Sequence, residues 1–354
     1  MKKIAIFVPT IKSGGAEKQA VLLAKVLSSK YLVSFMVFYS EVAPAKTNED
    51  ILRQSLSMKV YYLKGNYWRK TKEFIRIIKK DQIDIAFNYL TFCDTYGAII
   101  ERIAGVSTIY NGIRNSRLPK VKLFFERLCH NFISSGTIFN CYSGAEHFKQ
   151  KNFNADKCIV AQNCFPNIAE PITRNKKDIV TIITIGRFVE QKDYETSIKA
   201  ISLLKKKGLS FRYIIIGYGE LYNDIINWIS DYALQDDVTV LLNPKNVQEI
   251  LRSSDIYLSS SIFEGTSNSI MEAMNWSIPV VATNVGDNEY LVENGYNGFL
   301  RPIGDAEGLA KSLGCLIESV EKRNEMGQNG NRLLKEKFSE ELFEQRYIEI
   351  IEGR

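Results

Sequence analysis

Short runs of β-branched and aromatic residues alternate with amphipathic stretches along the whole 354-residue chain, the pattern of parallel strands joined by crossover helices. In the first half the runs predict strands over residues 4–9, 32–38, 60–63, 83–88, 108–110, 137–142 and 159–161. Helical spacing fills most of the gaps. The second half opens on the buried-type run IVTIITIG at 179–186 and continues with strands at 213–217, 238–242, 256–260 and 280–283. Between the halves, 165–178 (FPNIAEPITRNKKD) holds two prolines and a charged cluster without apolar periodicity, and reads as a linker. The expected fold is α/β with two doubly wound, Rossmann-like domains, 1–170 and 171–338, and a last helix within 339–354 that packs back on the first domain. Open parallel sheets carry ligands at the carboxyl ends of their strands, so chemistry is expected in a cleft faced by both domains.

Composition narrows this picture. Hydrophobic residues at 45% and charged ones at 24% exclude a disordered, collagen-like or coiled-coil chain. No apolar run approaches the roughly 18–20 residues that span a bilayer, and Pro9 breaks the short apolar stretch at the start, so a cytoplasmic location is expected. Six cysteines without a C-x-x-C pair, and only His130 and His147 beside them, predict free thiols and no metal site. Charge is uneven: residues 1–172 hold 25 Lys+Arg against 13 Asp+Glu, while the remainder is net acidic. A basic half fits either an anionic surface as partner or ordinary solvated lysines.

Four motifs fall at strand ends. Gly14-Gly15 sits between the first strand and a helix, where backbone N–H groups approach an anion or the glycines merely form a tight turn. Gly217-Tyr218-Gly219 lacks the third glycine of a dinucleotide fingerprint, since Tyr222 stands there, and reads as a structural turn. Arg187 and Lys192 lie five apart after the strand ending at Gly186, a spacing that suits a diphosphate. The most specific feature is Glu264-Gly265-Thr266-Ser267-Asn268-Ser269-Ile270-Met271-Glu272, followed by Pro279-Val280-Val281-Ala282-Thr283. Ser267 or Asn268 caps a helix that carries Glu272, and Glu264 stays in the preceding loop. A carboxylate accepts two hydrogen bonds from a vicinal diol, so either Glu suits a ribose or a sugar ring.

The order Gly-Gly turn, G-R-x-x-x-x-K, E-x7-E and P-V-V-A-T resembles the retaining, nucleotide-sugar-dependent glycosyltransferases of family 4, which have the GT-B fold. The resemblance spans nearly the whole chain. It implies that Glu272 holds the nucleotide ribose, that Glu264 lies by the donor sugar, and that Arg187 and Lys192 grip the diphosphate. Gly14 and Gly15 then face the diphosphate and donor sugar, Thr266, Ser267, Asn268 and Ser269 form the loop at the sugar or phosphate, and the base lies by 243–247. Two departures stand out. Gly286-Asp287 replaces a common Gly-Gly, and the first-domain strand end that carries a His in many members reads Tyr110-Asn111-Gly112-Ile113-Arg114-Asn115. Arg114 or Asn115 replaces that His as a sugar or acceptor contact, or the segment is a simple loop. His130 and His147 read as structural.

The reaction so implied moves a hexose or N-acetylhexosamine from a UDP-sugar to a glycan, such as a lipid-linked oligosaccharide of surface polysaccharide synthesis. Positive charge at the departing diphosphate is its main catalytic term, without a metal or other cofactor. No nucleic acid is involved. A glycoside hydrolase also uses two carboxylates, but about 5–9.5 Å apart, whereas eight helical positions rise about 12 Å. The same motifs also suit a nucleotide-sugar epimerase on a similar two-domain scaffold, or a non-catalytic protein that senses sugar nucleotides. For the acceptor side, Leu118, Val121, Phe125, Leu128 and Phe132 form an apolar stripe with Lys120, Lys122 and Arg127 off it: a core-facing helix, or an edge that touches anionic lipid on the inner membrane face.

Overall fold

The structure, a computed structural model, describes residues 1–53, 57–114 and 118–353. It divides into two compact units: Met1–Cys164 together with Glu340–Arg354, and Phe165–Ser339.

In the first unit β1 (Lys3–Val8), β2 (Leu32–Val37), β3 (Met58–Tyr62), β4 (Ile85–Asn88), β5 (Thr108–Asn111), β6 (Gly136–Phe139) and β7 (Cys158–Val160) form one parallel sheet in the order β3-β2-β1-β4-β5-β6-β7. Why the strands read as unbroken apolar runs is clear from β1. Ile4, Ile6 and Val8 enter the core on one face, while Ala5 and Phe7 enter the core on the other. Both faces are covered, as in parallel sheets generally. The helix Gly15–Leu27 and the helix Glu340–Glu352 lie on the first face, where Phe343, Tyr347 and Ile351 are buried in the core of β1 and β2.

The second unit repeats the plan with β8 (Val180–Ile185), β9 (Phe211–Gly217), β10 (Val238–Leu242), β11 (Ile256–Ser259), β12 (Val280–Thr283) and β13 (Gly298–Arg301), in the order β10-β9-β8-β11-β12-β13. All pairs are parallel. Neighbours again alternate between faces: Ile182 packs into one core and Ile183 into the other. The edge strand β13, GFLR, escaped the sequence reading because it is four residues long and begins on glycine.

Two expectations need correction. The stretch 165–178 has neither helix nor strand, but it is no free linker. Ala169 and Ile172 donate backbone N–H groups to Asn275 and Ser277, and the buried Arg174 guanidinium donates to the carbonyls of Arg252, Ser254, Trp276 and Ser277. The stretch is a strap on the second unit. The apolar stripe, read either as core-facing or as an edge at lipid, does not face the core. On the helix Lys120–Leu128 only Glu126 is fully buried, Leu118 and Leu123 reach the small core of Ile113, Phe139 and Phe148, and Val121, Phe125 and Phe132 are 70%, 53% and 79% exposed.

Candidate active site

The turn after β8 carries Arg187 and Lys192, and the loop after β11 carries Glu264. Hydrogen bonds from Ser260 and Gln191 bind these two segments together. Ser260, just past β11, donates to the carbonyls of Lys192 and Asp193 at 2.9 and 2.7 Å, and Gln191 Nε2 donates to the Phe263 carbonyl at 2.8 Å. Within that frame Lys192 Nζ meets Glu264 Oε1 at 2.5 Å, and Ser261 Oγ donates to the same oxygen at 2.8 Å. Both members of the ion pair are largely shielded, with side chains 17% and 10% exposed. Lysine carries three donors, so a pair of this kind can present further N–H groups to an anion while the carboxylate fixes the ammonium in place.

The glycines around this pair have distinct tasks. A Cβ on Gly286, which sits at φ +55°, would lie 2.0 Å from the Glu264 carbonyl oxygen. Only glycine lets the turn after β12 press on the Glu264 loop. Gly217 and Gly219 are packed just as closely on the backbone of Gly186 and Phe188, and Phe188 N–H donates to the Tyr218 carbonyl at 2.7 Å. That turn is therefore a brace for the segment bearing Arg187, which accounts for its glycines without a dinucleotide.

The helix Asn268–Asn275 follows the Glu264 loop. Ser267 is its N-cap residue, Thr266 and Ser267 are buried, Asn268 is exposed, and Ser267 and Ser269 hydroxyls lie 3.2 Å apart. Glu272 is half-buried one turn further on and accepts from Gln248 Nε2 at 3.3 Å, while Gln248 Oε1 accepts from Trp276 Nε1 at 3.0 Å. Arg187 is exposed. The second unit thus brings Lys192 and Glu264 into contact, sets 266–269 at the adjoining helix start, and places Glu272 on that helix in a hydrogen bond with Gln248. Asn243, directly after β10, adopts φ +44°.

In the first unit Gly14 is the N-cap residue of the helix Gly15–Leu27, without a side-chain cap. The Glu17 carboxylate folds back over this turn, where a Cβ on Gly14 would meet Glu17 Oε2 at 2.2 Å, and Thr10 Oγ1 donates to Glu17 Oε1 at 3.1 Å. A carboxylate therefore sits at the helix N-terminus, the end that favours negative charge. His130 is fully buried between Thr137 Oγ1 and the Asn154 carbonyl, and His147 lies on the helix Tyr142–Lys149. Asn115 lies outside the described residues. Arg114 follows β5, with its guanidinium 4.6 Å over the Tyr89 ring and bonded to Tyr347 Oη at 3.1 Å.

Sequence reasoning passed over a buried polar group beneath that loop. Asp94, Glu101 and Glu126 are all buried; Asp94 accepts the Gly112 N–H at 2.7 Å and Glu101 accepts from Asn88 Nδ2 at 2.9 Å. Burial pushes the Asp94 carboxyl up to about 7 against the pull of the Gly112 N–H, pushes Glu101 up to about 8, and holds Glu126 well above the ordinary range. The signal available was three acids standing in segments otherwise rich in apolar residues.

The two sheets and their strand orders define a GT-B fold. Residues 166–333 match the family of glycosyl transferases group 1. An uncharacterized glycosyltransferase of Haemophilus influenzae is 26% identical over 96% of both chains. The UDP-Gal:alpha-D-GlcNAc-diphosphoundecaprenol alpha-1,3-galactosyltransferase of Escherichia coli is 23% identical over 67% of each. Among solved structures, Anabaena HepE in complex with UDP-glucose superposes with a TM-score of 0.80 at 19% identity over 100% of both chains. The lipopolysaccharide outer core galactosyltransferase WaaB, in its apo form, gives 0.76 at 15% over 100% and 99%. In fold and in the relatives it matches, the chain is similar to GT-B glycosyltransferases, several of them named for lipopolysaccharide or polysaccharide synthesis.

Proposed function

We propose that the chain is a retaining, metal-independent transferase of family 4 that moves a hexose or N-acetylhexosamine from a UDP-sugar to a glycan acceptor on a lipid diphosphate. The observation that carries this reading is the Lys192–Glu264 pair, braced by Ser261 at a strand-end turn beside the exposed Arg187. As the sugar-to-phosphate bond breaks, negative charge grows on the departing diphosphate; Lys192 and Arg187 supply fixed positive charge there, so the scheme needs no metal. Glu264 orients the sugar and holds the Lys192 ammonium. Glu272, on the helix beyond, takes the ribose hydroxyls. The acceptor hydroxyl attacks the face from which the diphosphate leaves, and a diphosphate oxygen takes its proton.

The acceptor class draws on the name of the Escherichia coli relative, whose acceptor is a diphosphoundecaprenol. An exposed apolar and basic helix in the first unit suits a protein working at a lipid surface, and no helix among the described residues is long and apolar enough to cross a membrane. Kinetics with UDP-sugar check the site: Lys192→Ala is expected to lose most of its turnover, while Glu272→Ala mainly weakens nucleotide binding. Activity that persists in EDTA supports metal independence. Wild-type kinetics in both variants would refute the site, and release of an epimerised sugar nucleotide without acceptor would point to an epimerase instead.

A further inference from the structure

We propose that Arg114 is the anion-binding residue of the first unit, taking a phosphate oxygen of a diphosphate ester, and that Tyr347 positions it. The assignment rests on the transfer reaction proposed above. Its starting point is an unbalanced cation. Arg114 carries five donors; Nη2 reaches Tyr347 Oη at 3.1 Å, Nη1 reaches Asn163 Oδ1 at 3.5 Å, and Nε is buried without a partner. Both acceptors are neutral, and among the described residues no carboxylate oxygen lies within 4.0 Å of this guanidinium. The nearby acid, Asp94, acts on Arg114 only through space: one of its carboxylate oxygens accepts the Gly112 N–H, the other has no hydrogen-bond partner, and burial favours the neutral carboxyl. Arg114 is half-buried with its Nε shielded, and a guanidinium partly withdrawn from water is disfavoured unless an anion meets it. A sugar hydroxyl, being neutral, would leave that charge as it is; a phosphate matches both the charge and the planar fork.

The surroundings also fix the guanidinium in place. Tyr89 lies under its plane, Tyr347 takes one nitrogen, and the two fully buried tyrosines bring their hydroxyls to 3.4 Å of each other. Tyr347 is itself fixed by Phe87 and Phe343, with ring centroids at 5.5 and 4.9 Å. Leu90, next to Tyr89, sits at φ +73°, a strained conformation for a branched apolar residue. The last helix therefore contributes a residue to the carboxyl end of the first unit's sheet, 233 positions away in sequence from the arginine it orients.

A diphosphate reaches this reaction from two sources, the nucleotide of the donor and the lipid anchor of the acceptor. Calorimetric titration of the full chain with UDP and, separately, with farnesyl diphosphate distinguishes them. Arg114→Met is expected to weaken at least one of the two by about tenfold or more, the loss of one charge-assisted hydrogen bond. Loss for UDP assigns the donor, and loss for farnesyl diphosphate alone assigns the acceptor. Arg114→Lys, which keeps the charge and guards against a folding defect, recovers part of the affinity. Tyr347→Phe keeps the ring and is expected to weaken the same ligand severalfold at an unchanged melting temperature. Wild-type affinity of Arg114→Met for both ligands overturns the assignment whatever its melting temperature, as does a wild-type protein that binds neither. Wild-type affinity of Tyr347→Phe overturns the positioning role. If UDP binding survives in Glu272→Ala and Lys192→Ala but is lost in Arg114→Met, the second-unit site fails while this one stands.

Discussion

Gly286 sets the tolerance of the candidate site at the scale of one atom. Its φ of +55° and its contact with the Glu264 carbonyl leave no room for a methyl group. Gly286→Ala is expected to displace the Glu264 loop, cut turnover by at least about tenfold and destabilise the second unit by about 1–3 kcal/mol, measured by initial rates and thermal melts. Full activity in this variant would mean that the loop position is irrelevant. The residues of the pair itself were legible in sequence, since Lys192 and Glu264 sit in short motifs with fixed spacing. Their supports were not: Ser261 and Gln191 act through contacts that join separate strand ends and no local pattern marks them, while Gly286 was visible only as half of a departure from a common Gly-Gly, with no hint of its contact with the Glu264 loop. Arg114 was visible only as the substitute for a missing His, and Tyr347 not at all.

At the scale of elements, the strands were readable because burial on both faces forces continuous apolar runs, while the helix over 120–128 stayed open between core and exposed edge because an apolar stripe does not say which way it faces. Here Leu123 and Glu126 turn inward, toward Ile113 and Phe139 and toward the Asp94 carboxyl. The buried acids give this part of the fold a pH signature. Burial lifts Glu101 from 4.5 to about 8, so near neutral pH the folded chain keeps a proton that the unfolded chain has released. That contribution is fully present below about 4.5, where both states are protonated, and is lost as pH rises through about 8. Asp94, raised to about 7, acts in the same direction. Melting temperature is expected to fall between pH 5 and 8, and Glu101→Gln, which cannot ionise, is expected to flatten that fall. A slope identical to wild type would show that Glu101 does not titrate in this range.

For the molecule as a whole, the α/β class and the repetition of one plan in two halves followed from periodicity alone, whereas the strap at 165–178 did not, because its anchors are mostly carbonyls that any sequence possesses. The basic excess of the first 172 residues acquires a location once the exposed face of the 120–128 helix is known: Lys120 and Lys122 flank Val121, and Phe124, Phe125 and Phe132 stand out beside them. Aromatic residues with basic neighbours are suited to the headgroup region of an anionic bilayer. Sedimentation with phosphatidylglycerol vesicles at low salt is expected to pull down the wild type and to lose most of it when Phe124, Phe125 and Phe132 are all changed to Ser. Equal recovery of both proteins would remove the lipid contact.

The path of the chain through its two units has a consequence for how the protein is made. The first unit is interrupted at Cys164 and resumes at Glu340, so a ribosome delivers the entire second unit before it delivers the helix that covers β1 and β2. At about 5–20 residues per second, the wait lasts on the order of ten to thirty seconds. During it an apolar seam that will receive Phe343, Tyr347 and Ile351 stands open, exposed to aggregation and to proteases until the helix Glu340–Glu352 has been synthesised.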